Sequence, residues 1–460
     1  MATQLIQPQR IRRLAERENG ESDYVLYWME QSQRAQDNHA VEYAVRAANE
    51  RGQPLMVLFV IPENDPELSL RQATFLLEGI EQTQTAIQGR GIKMVVRCGE
   101  PDEVTLDVAK RASMVICDRG YLRQQKSWRR SVAENASCSV VEVESDVVVP
   151  VDVVSDKREY AARTIRPKLN SHLPDYLLPL TTTPMKKDST TLPVSGDDLT
   201  DREAVLRKIK VDRSVPAVSR WFRGGTSQAT AKLNRFVESR LTSYDDHRSD
   251  PVRDAVSHMS MYLHFGQISP LTIALKIKET SAGTQTDRES YMEELIIRRE
   301  LSKNFVNFTP DYDSYSCLPD WAAETLDDHR HDQREKHYTL SELENGETHD
   351  EYWNAAMREM RETGYMHNHM RMYWGKQILA WTNTPDYAYR ITEQLNNRYF
   401  LDGRDPNSFA NVAWLFGNHD RAFGERDVFG KVRTMTTEGL SRKCNPDAYV
   451  DRVNDKVDED

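Results

Sequence analysis

From Asp23 onward, short apolar runs alternate with longer stretches whose apolar residues recur at helical spacing. YVLYWM (Tyr24 to Met29) and LMVLFVI (Leu55 to Ile61) are short, continuous and rich in β-branched or aromatic residues, which predicts strands buried on both faces. Helical patterns follow them, around Asn38 to Arg51 and Arg71 to Gly91. KMVVRC, SMVICD and SVVEVES continue the series, separated by PDEVTLDVAKRA and QQKSWRRSVAENA. Such alternation describes βαβ units and a parallel sheet covered by helices, a Rossmann-like α/β arrangement over the first 150 or so residues. The turn after the first strand reads MEQSQRAQDNH and lacks Gly-x-Gly-x-x-Gly, which argues against an ordinary dinucleotide site there.

TTTPMKKDSTTLPVSGDDLT, from Thr181 to Thr200, has almost no periodic apolar content and reads as a connector. Beyond it the pattern becomes helical: SQATAKLNRFVESRLTSY, SPLTIALKIKETS, ESYMEELIIRRELSKNFVNF, EYWNAAMREMRETG, HMRMYWGKQILAWT and PDYAYRITEQLNN. The expected organisation is an α/β domain over 1–180, a linker over 181–212 and an all-helical domain over 213–460. A length of 460 residues suits two domains.

Composition narrows the class. With 38% hydrophobic and 29% charged residues and a mean hydropathy of −0.70, the chain reads as globular and water-soluble. It carries no apolar run near the roughly 18 residues of a membrane span and no secretory apolar core at its start, so a cytoplasmic monomer is expected. Five cysteines at wide spacing, without a CxxC pair, fit reduced thiols and no metal site. A net charge of −11 opposes nucleic-acid binding only as a total, because SGDDLTDRE and DRVNDKVDED inflate it while Arg298/Arg299 and Arg442/Lys443 stay available to one face.

Several segments carry residues suited to chemistry. Trp374 and Trp381 stand seven residues apart on nearly one helical face, about 10 Å apart along the axis, a spacing that serves core filling or electron hopping alike. Ser257 and Ser260 precede a helix start, as N-caps or as phosphate ligands. Asp402, Asp405, Arg398 and Arg404, with Asn396 and nearby aromatics, form either a solvated salt-bridge cluster or a surface that stacks on unpaired bases. Of the neighbours Glu293 and Glu294, only one can face inward, where burial would favour a protonated carboxyl. No HExxH, GxSxG or P-loop is present.

Eight strings occur together and in order: YWMEQSQRAQDN, EYAARTIRPKL, MYLHFGQIS, EELIIRRELSKNF, THDEYWNA, HMRMYWGKQILAW, LDGRDPN and HDRAFGERDVFGKVR. Over nearly its full length the chain thereby resembles the class II cyclobutane pyrimidine dimer photolyases. The resemblance implies a photolyase/cryptochrome fold with FAD in the helical domain and an antenna chromophore, 8-hydroxy-5-deazaflavin, on the α/β domain. It assigns Tyr244, Ser257, Ser260, Leu263, Arg371, Asp402 and Asp405 to the cofactor, with Asn396 facing flavin N5. Trp374, Trp353 and Trp381, with Tyr338 at the outer end, match an electron-transfer chain. Glu294, Arg248, Met372, Trp414, Arg421 and Phe423 match the side that takes the lesion in damaged DNA.

Four positions depart from the family pattern: Phe423 stands for Trp, Ser249 for Asn, Met261 for Pro and Asn397 for Asp. The implied activity is that of a deoxyribodipyrimidine photo-lyase: photoexcited reduced FAD donates an electron to a flipped-out dimer and recovers it after ring splitting. The rival expectations are a cryptochrome-like blue-light photoreceptor with the same fold, and a flavin-free α/β nucleotide-binding protein.

Overall fold

The computed structural model of the chain describes residues 6–17 and 22–458. Both outer limits of the expected domains, residues 1 and 460, lie outside the described residues. Among the described residues the N-terminal apolar runs form one sheet of β1 (Ile11–Ala15), β2 (Tyr24–Met29), β3 (Leu55–Pro62), β4 (Lys93–Gly99), β5 (Ala112–Asp118) and β6 (Ser139–Val143), in the order β1-β6-β5-β2-β3-β4. All neighbours are parallel except β1, which joins β6 antiparallel. Helices α1 (His39–Arg51), α2 (Leu70–Gln88), α3 (Pro101–Ala109) and α4 (Arg123–Asn135) make the crossovers.

Two-sided burial explains the continuous apolar runs. Val25, Tyr27 and Met29 pack into the core under α1 and α2, while Tyr24, Leu26 and Trp28 pack into the opposite core with Val108 and Val132 of α3 and α4. The Asn38 side chain caps α1 by accepting from the amides of Ala40 and Val41. β1 escaped the sequence reading, because IRRLA is a partly exposed edge strand with charges in its middle.

The 181–212 segment does more than connect. Asp197 N–H donates to Val96 O at 2.7 Å, and Cys98 N–H donates to the Asp197 carboxylate at 2.8 Å, so the segment lies along the outer edge of β4. Its short helix Arg202–Leu206 sends Val205 and Leu206 into the α1/α2 core. These are backbone and isolated contacts, which leave no periodic signal.

The second half is helical, as its patterning predicts. Gln285–Met292 and Arg299–Phe308 run on through a π-helical turn over Glu293–Arg298. Helices Glu351–Thr363, Asn368–Trp381, Pro385–Tyr399 and Pro406–Leu415 share the largest core cluster. The fully buried Arg71 of α2 ties the halves together, donating to Met360 O at 3.0 Å and Tyr399 O at 2.8 Å. Phe75, one turn further on, packs against Tyr262 and Phe265.

Candidate functional site

A cavity of about 280 Å³ opens in the helical domain. Tyr244, Arg248, Ser257, Ser260, Leu263, Glu294, Arg371, Asp402 and Asp405 all line it, so most of the cofactor residues expected from the sequence come together from widely separated segments. Tyr244 starts the turn Tyr244–His247, Ser260 and Leu263 sit on Ser260–His264, and Arg371 sits on Asn368–Trp381. Asp402 and Asp405 belong to the loop before Pro406–Leu415, which Asp405 caps by accepting from Asn407 N–H at 2.7 Å.

Two charge arrangements stiffen the walls. Arg371 and Asp402 pair through both guanidinium nitrogens, at 2.9 and 3.2 Å, and the guanidinium lies 3.8 Å from the Phe400 ring centre. Asp405 lies 3.5 Å from Lys303 Nζ and 3.4 Å from His264 Nδ1. Burial opposes ionisation of Asp405, yet Lys303, His264 and Arg299 together hold its carboxyl far below the usual carboxylate range. Lys303 and Arg299 also both reach Asp146 of the α/β domain at 2.7 Å. The sequence reading missed this buried network, since nothing in spacing links Asp146 to residues 150 positions later.

Glu294 corrects an expectation. Its neighbour Glu293 is held by Arg166 at 2.7 Å and Arg298 at 3.0 Å, and the π-helical turn directs Glu294 to the cavity. There it is neither buried nor surrounded by apolar groups: its side chain is 39% exposed and pairs with Arg248 at 2.9 Å.

The tryptophans form a continuous path. Trp374 and Trp353 stack at 6.4 Å with 12° between planes, Trp353 meets Trp381 edge-on at 5.6 Å, and Trp381 meets Tyr338 edge-on at 5.4 Å. The separation between Trp374 and Trp381 along their shared helix is thus filled by Trp353, from Glu351–Thr363, whose indole N–H donates to Trp374 O at 2.9 Å. Trp374 begins the path beside Phe400, the ring under Arg371, and its own indole N–H has no partner among the described residues. Burial loosens outward, from complete at Trp353 to partial at Tyr338.

Other expected residues lie around this centre. Asn396 is buried one step behind the wall, donating to Asn397 Oδ1 at 3.0 Å and to Ser408, which lines the cavity. Asn397, one of the departures, also accepts from Arg404 N–H at 3.0 Å and so orders the loop. Met372 follows Arg371 and is partly exposed. Trp414 is one helical turn beyond Asn411, a cavity residue, and adjoins a cation-rich patch. Arg433 lies 5.7 Å from the Trp414 ring centre and 4.4 Å from that of Phe423, which Arg421 also approaches at 5.2 Å. Arg433 is bound bidentately by Asp420 at 2.8 and 3.1 Å. The buried Lys376 lies 5.6 Å from the Trp414 ring and donates to Leu415 O. Neither Lys376 nor Arg433 was singled out in the sequence. A lysine four residues after Met372, on one helical face, was the available signal.

A second cavity, of about 510 Å³, lies at the carboxyl ends of β2 and β3, lined by Trp28, Glu30, Phe59, Trp128 and Arg404 among others. The strand order reverses beside it, between β2 and β5, the usual ligand position in such sheets, and Leu122 from the loop after β5 joins the lining. Burial pushes the Glu30 carboxyl up to about 8, and its Oε2 has no partner. His264 and Asp405 border both cavities. Among the described residues no cluster of His, Cys, Asp or Glu is arranged to hold a metal, all five cysteines are free, and no helix is long and apolar enough to cross a membrane.

A Rossmann-like sheet joined to a helical domain around a polar and aromatic cavity is the architecture of photolyases and cryptochromes. A class III photolyase from Agrobacterium tumefaciens superposes with a TM-score of 0.75 at 18% identity, covering 96% of this chain and 88% of its own. An archaeal photolyase from Sulfolobus tokodaii, solved with two FAD molecules, reaches 0.70 at 15% identity, covering 93% and 89%. The DNA photolyase family model matches residues 25–187. A deoxyribodipyrimidine photo-lyase of Methanothermobacter thermautotrophicus is 46% identical over 99% of this chain and 100% of its own length, and one of Arabidopsis thaliana is 37% identical over 94% and 89%. The chain belongs to the deoxyribodipyrimidine photo-lyase family.

Proposed function

We propose that the protein repairs cyclobutane pyrimidine dimers in DNA under light, as a class II enzyme and as a monomer, with FAD held in the helical-domain cavity. The observation that carries this reading is the unbroken series of rings that runs to the surface from Trp374, behind Phe400 and the cavity residue Arg371, through Trp353 and Trp381 to Tyr338. Core filling needs no such ordered outward path. The lining also suits the ligand: the guanidinium group of Arg298 and hydroxyls of Ser257, Ser260 and Ser408 match a diphosphate, and Tyr244 and Tyr291 offer aromatic walls. When bound and reduced, the flavin supplies light absorption and the electron that splits the ring.

The chain's own residues supply orientation and charge. Arg371 and Asp402 present a fixed ion pair to the ring system, and Asn396, held by Ser408 and Asn397, sets a side-chain amide behind it. Glu294 and Arg248 stand at the opening, where the carboxylate accepts from a base N–H and the guanidinium takes a phosphate. Trp414 and Phe423 offer stacking faces, the partly exposed Met372 adds an apolar contact, and Arg421 and Arg433 grip the backbone. The cavity at the carboxyl ends of β2 and β3 takes the antenna, with 8-hydroxy-5-deazaflavin as the candidate.

The test is anaerobic blue-light illumination of the reduced holoprotein with a dimer-containing oligonucleotide. Recovery of intact pyrimidines is expected; tight binding without repair would favour a photoreceptor instead. For the relay, Trp374→Phe is expected to abolish photoreduction of the oxidised protein by an external reductant, and wild-type photoreduction in that variant would remove the path from the mechanism.

A further inference from the structure

At the outer end of the ring path, Tyr338 does not simply face solvent. Its hydroxyl lies 2.7 Å from Nδ1 of His349 and also accepts the His349 backbone N–H at 2.9 Å. The two rings are nearly coplanar, 11° apart, and each meets Trp381 edge-on at 5.4 Å. Nearby carboxylates are engaged elsewhere: Asp350 accepts from the amides of Tyr352 and Trp353 and from the Tyr373 hydroxyl, and Glu342 caps Thr339. His349 is therefore the base against the phenol, and it is exposed to solvent.

We infer that Tyr338 and His349 form a proton-coupled terminus of the relay, with His349 as the proton acceptor. This rests on the relay reading given above. An electron leaves the Tyr338 phenol and neutralises the oxidised Trp381 ring. The phenolic proton crosses the hydrogen bond to His349 Nδ1, so that an O–H bond breaks and an N–H bond forms. The products are neutral Trp381, a neutral tyrosyl radical and an imidazolium. The ultimate oxidant is a photoexcited oxidised flavin acting through the indoles, and an external thiol later returns a hydrogen atom to the phenoxyl oxygen. Phenol oxidation without a base would leave a strongly acidic cation. A base at hydrogen-bond distance removes that barrier, and the exposed ring then releases its proton to water. With the charge gone from the terminal ring, the electron has less drive to return.

The test is flash photolysis of the oxidised holoprotein in H₂O and D₂O, with electron paramagnetic resonance to separate indole from tyrosyl radicals. A tyrosyl signal is expected, rising more slowly in D₂O. His349→Ala is expected to slow its formation about 100-fold, with partial rescue by added imidazole. Tyr338→Phe is expected to remove it and leave indole radicals. Nitrogen NMR of the dark protein adds a readout independent of photochemistry: His349 Nδ1 is expected as an unprotonated acceptor. A tyrosyl signal of wild-type rate in His349→Ala, no solvent isotope effect, or a protonated Nδ1 in the dark would overturn the inference. Indole radicals without any tyrosyl signal would overturn it while sparing the relay, whereas no ring oxidation at all would overturn both.

Discussion

The ring series from Trp374 to Tyr338 and the patch around Trp414 and Phe423 are built from similar parts and arranged differently. In the relay, Trp353 and Trp374 are buried and fixed by other rings and by the indole N–H bonded to Trp374 O. On the patch, Trp414 and Phe423 are only partly covered, and their neighbours are cations, Arg421, Arg433 and Lys376. The first arrangement is closed by burial, with only the Trp374 indole N–H left unpaired among the described residues. The second leaves ring faces open beside the exposed guanidinium of Arg421, while Arg433 is already bound by Asp420 and Lys376 is buried. On the proposed function such a face suits stacking on bases.

Predictions follow this contrast. The largest effect is expected on the cavity side of the relay. Arg371→Leu leaves Asp402, only 9% exposed, without its partner, and is expected to lower unfolding free energy by about 3–5 kcal/mol in urea titrations and to abolish flavin retention. A variant that kept both would show the pair to be dispensable.

A smaller effect lies beneath the patch. Burial lowers the Lys376 ammonium to about 7, with Asp420 partly opposing. The unfolded chain keeps that proton up to about pH 10.5, so the unfolded state binds more protons between about 7 and 10.5 and stability rises with pH across that window. From pH 7 to 9 the wild type is expected to gain roughly 2 kcal/mol more than Lys376→Met. Parallel pH profiles for the two proteins would mean the amine stays charged.

On the open face the effects fall on binding and not on folding. Phe423→Ala is expected to weaken binding to dimer-containing DNA by about 1–3 kcal/mol, with unfolding changed by no more than about 0.5 kcal/mol. Equal losses in both measurements would make the patch a structural element and erase the contrast. Phe423→Trp, which restores the family residue between Arg421 and Arg433, is expected to tighten binding by about 0.5–1 kcal/mol. Titrations by fluorescence anisotropy distinguish these outcomes.

The fold was legible where burial imposes a period. β2 to β6 and α1 to α4 were readable because both faces of the sheet are covered and the helices present one apolar stripe. β1 was not, since an edge strand with Arg12 and Arg13 lacks that constraint. The seven-residue spacing of Trp374 and Trp381 left two meanings open, and the ring that lies between them, Trp353, arrives from another helix. Glu294 shows a different limit: helical periodicity assumes 3.6 residues per turn, and the π-helical turn over Glu293–Arg298 breaks it where two acids must part company. The lining of the cavity was named through family resemblance; no local pattern would have joined Tyr244 to Asp405.

The segment along β4 has a consequence for what the sheet edge can pair with. A sheet edge of free amides and carbonyls is a template on which another chain can add a strand. Here the polypeptide occupies part of that rim with its own downstream residues, through Asp197 and the turn at Ser189, while the opposite rim at β1 carries Arg12 and Arg13. A break in the backbone between Thr181 and Thr200 would leave the cavity-lining residues of the helical half in place and yet free the rim, opening it to edge-to-edge polymerisation.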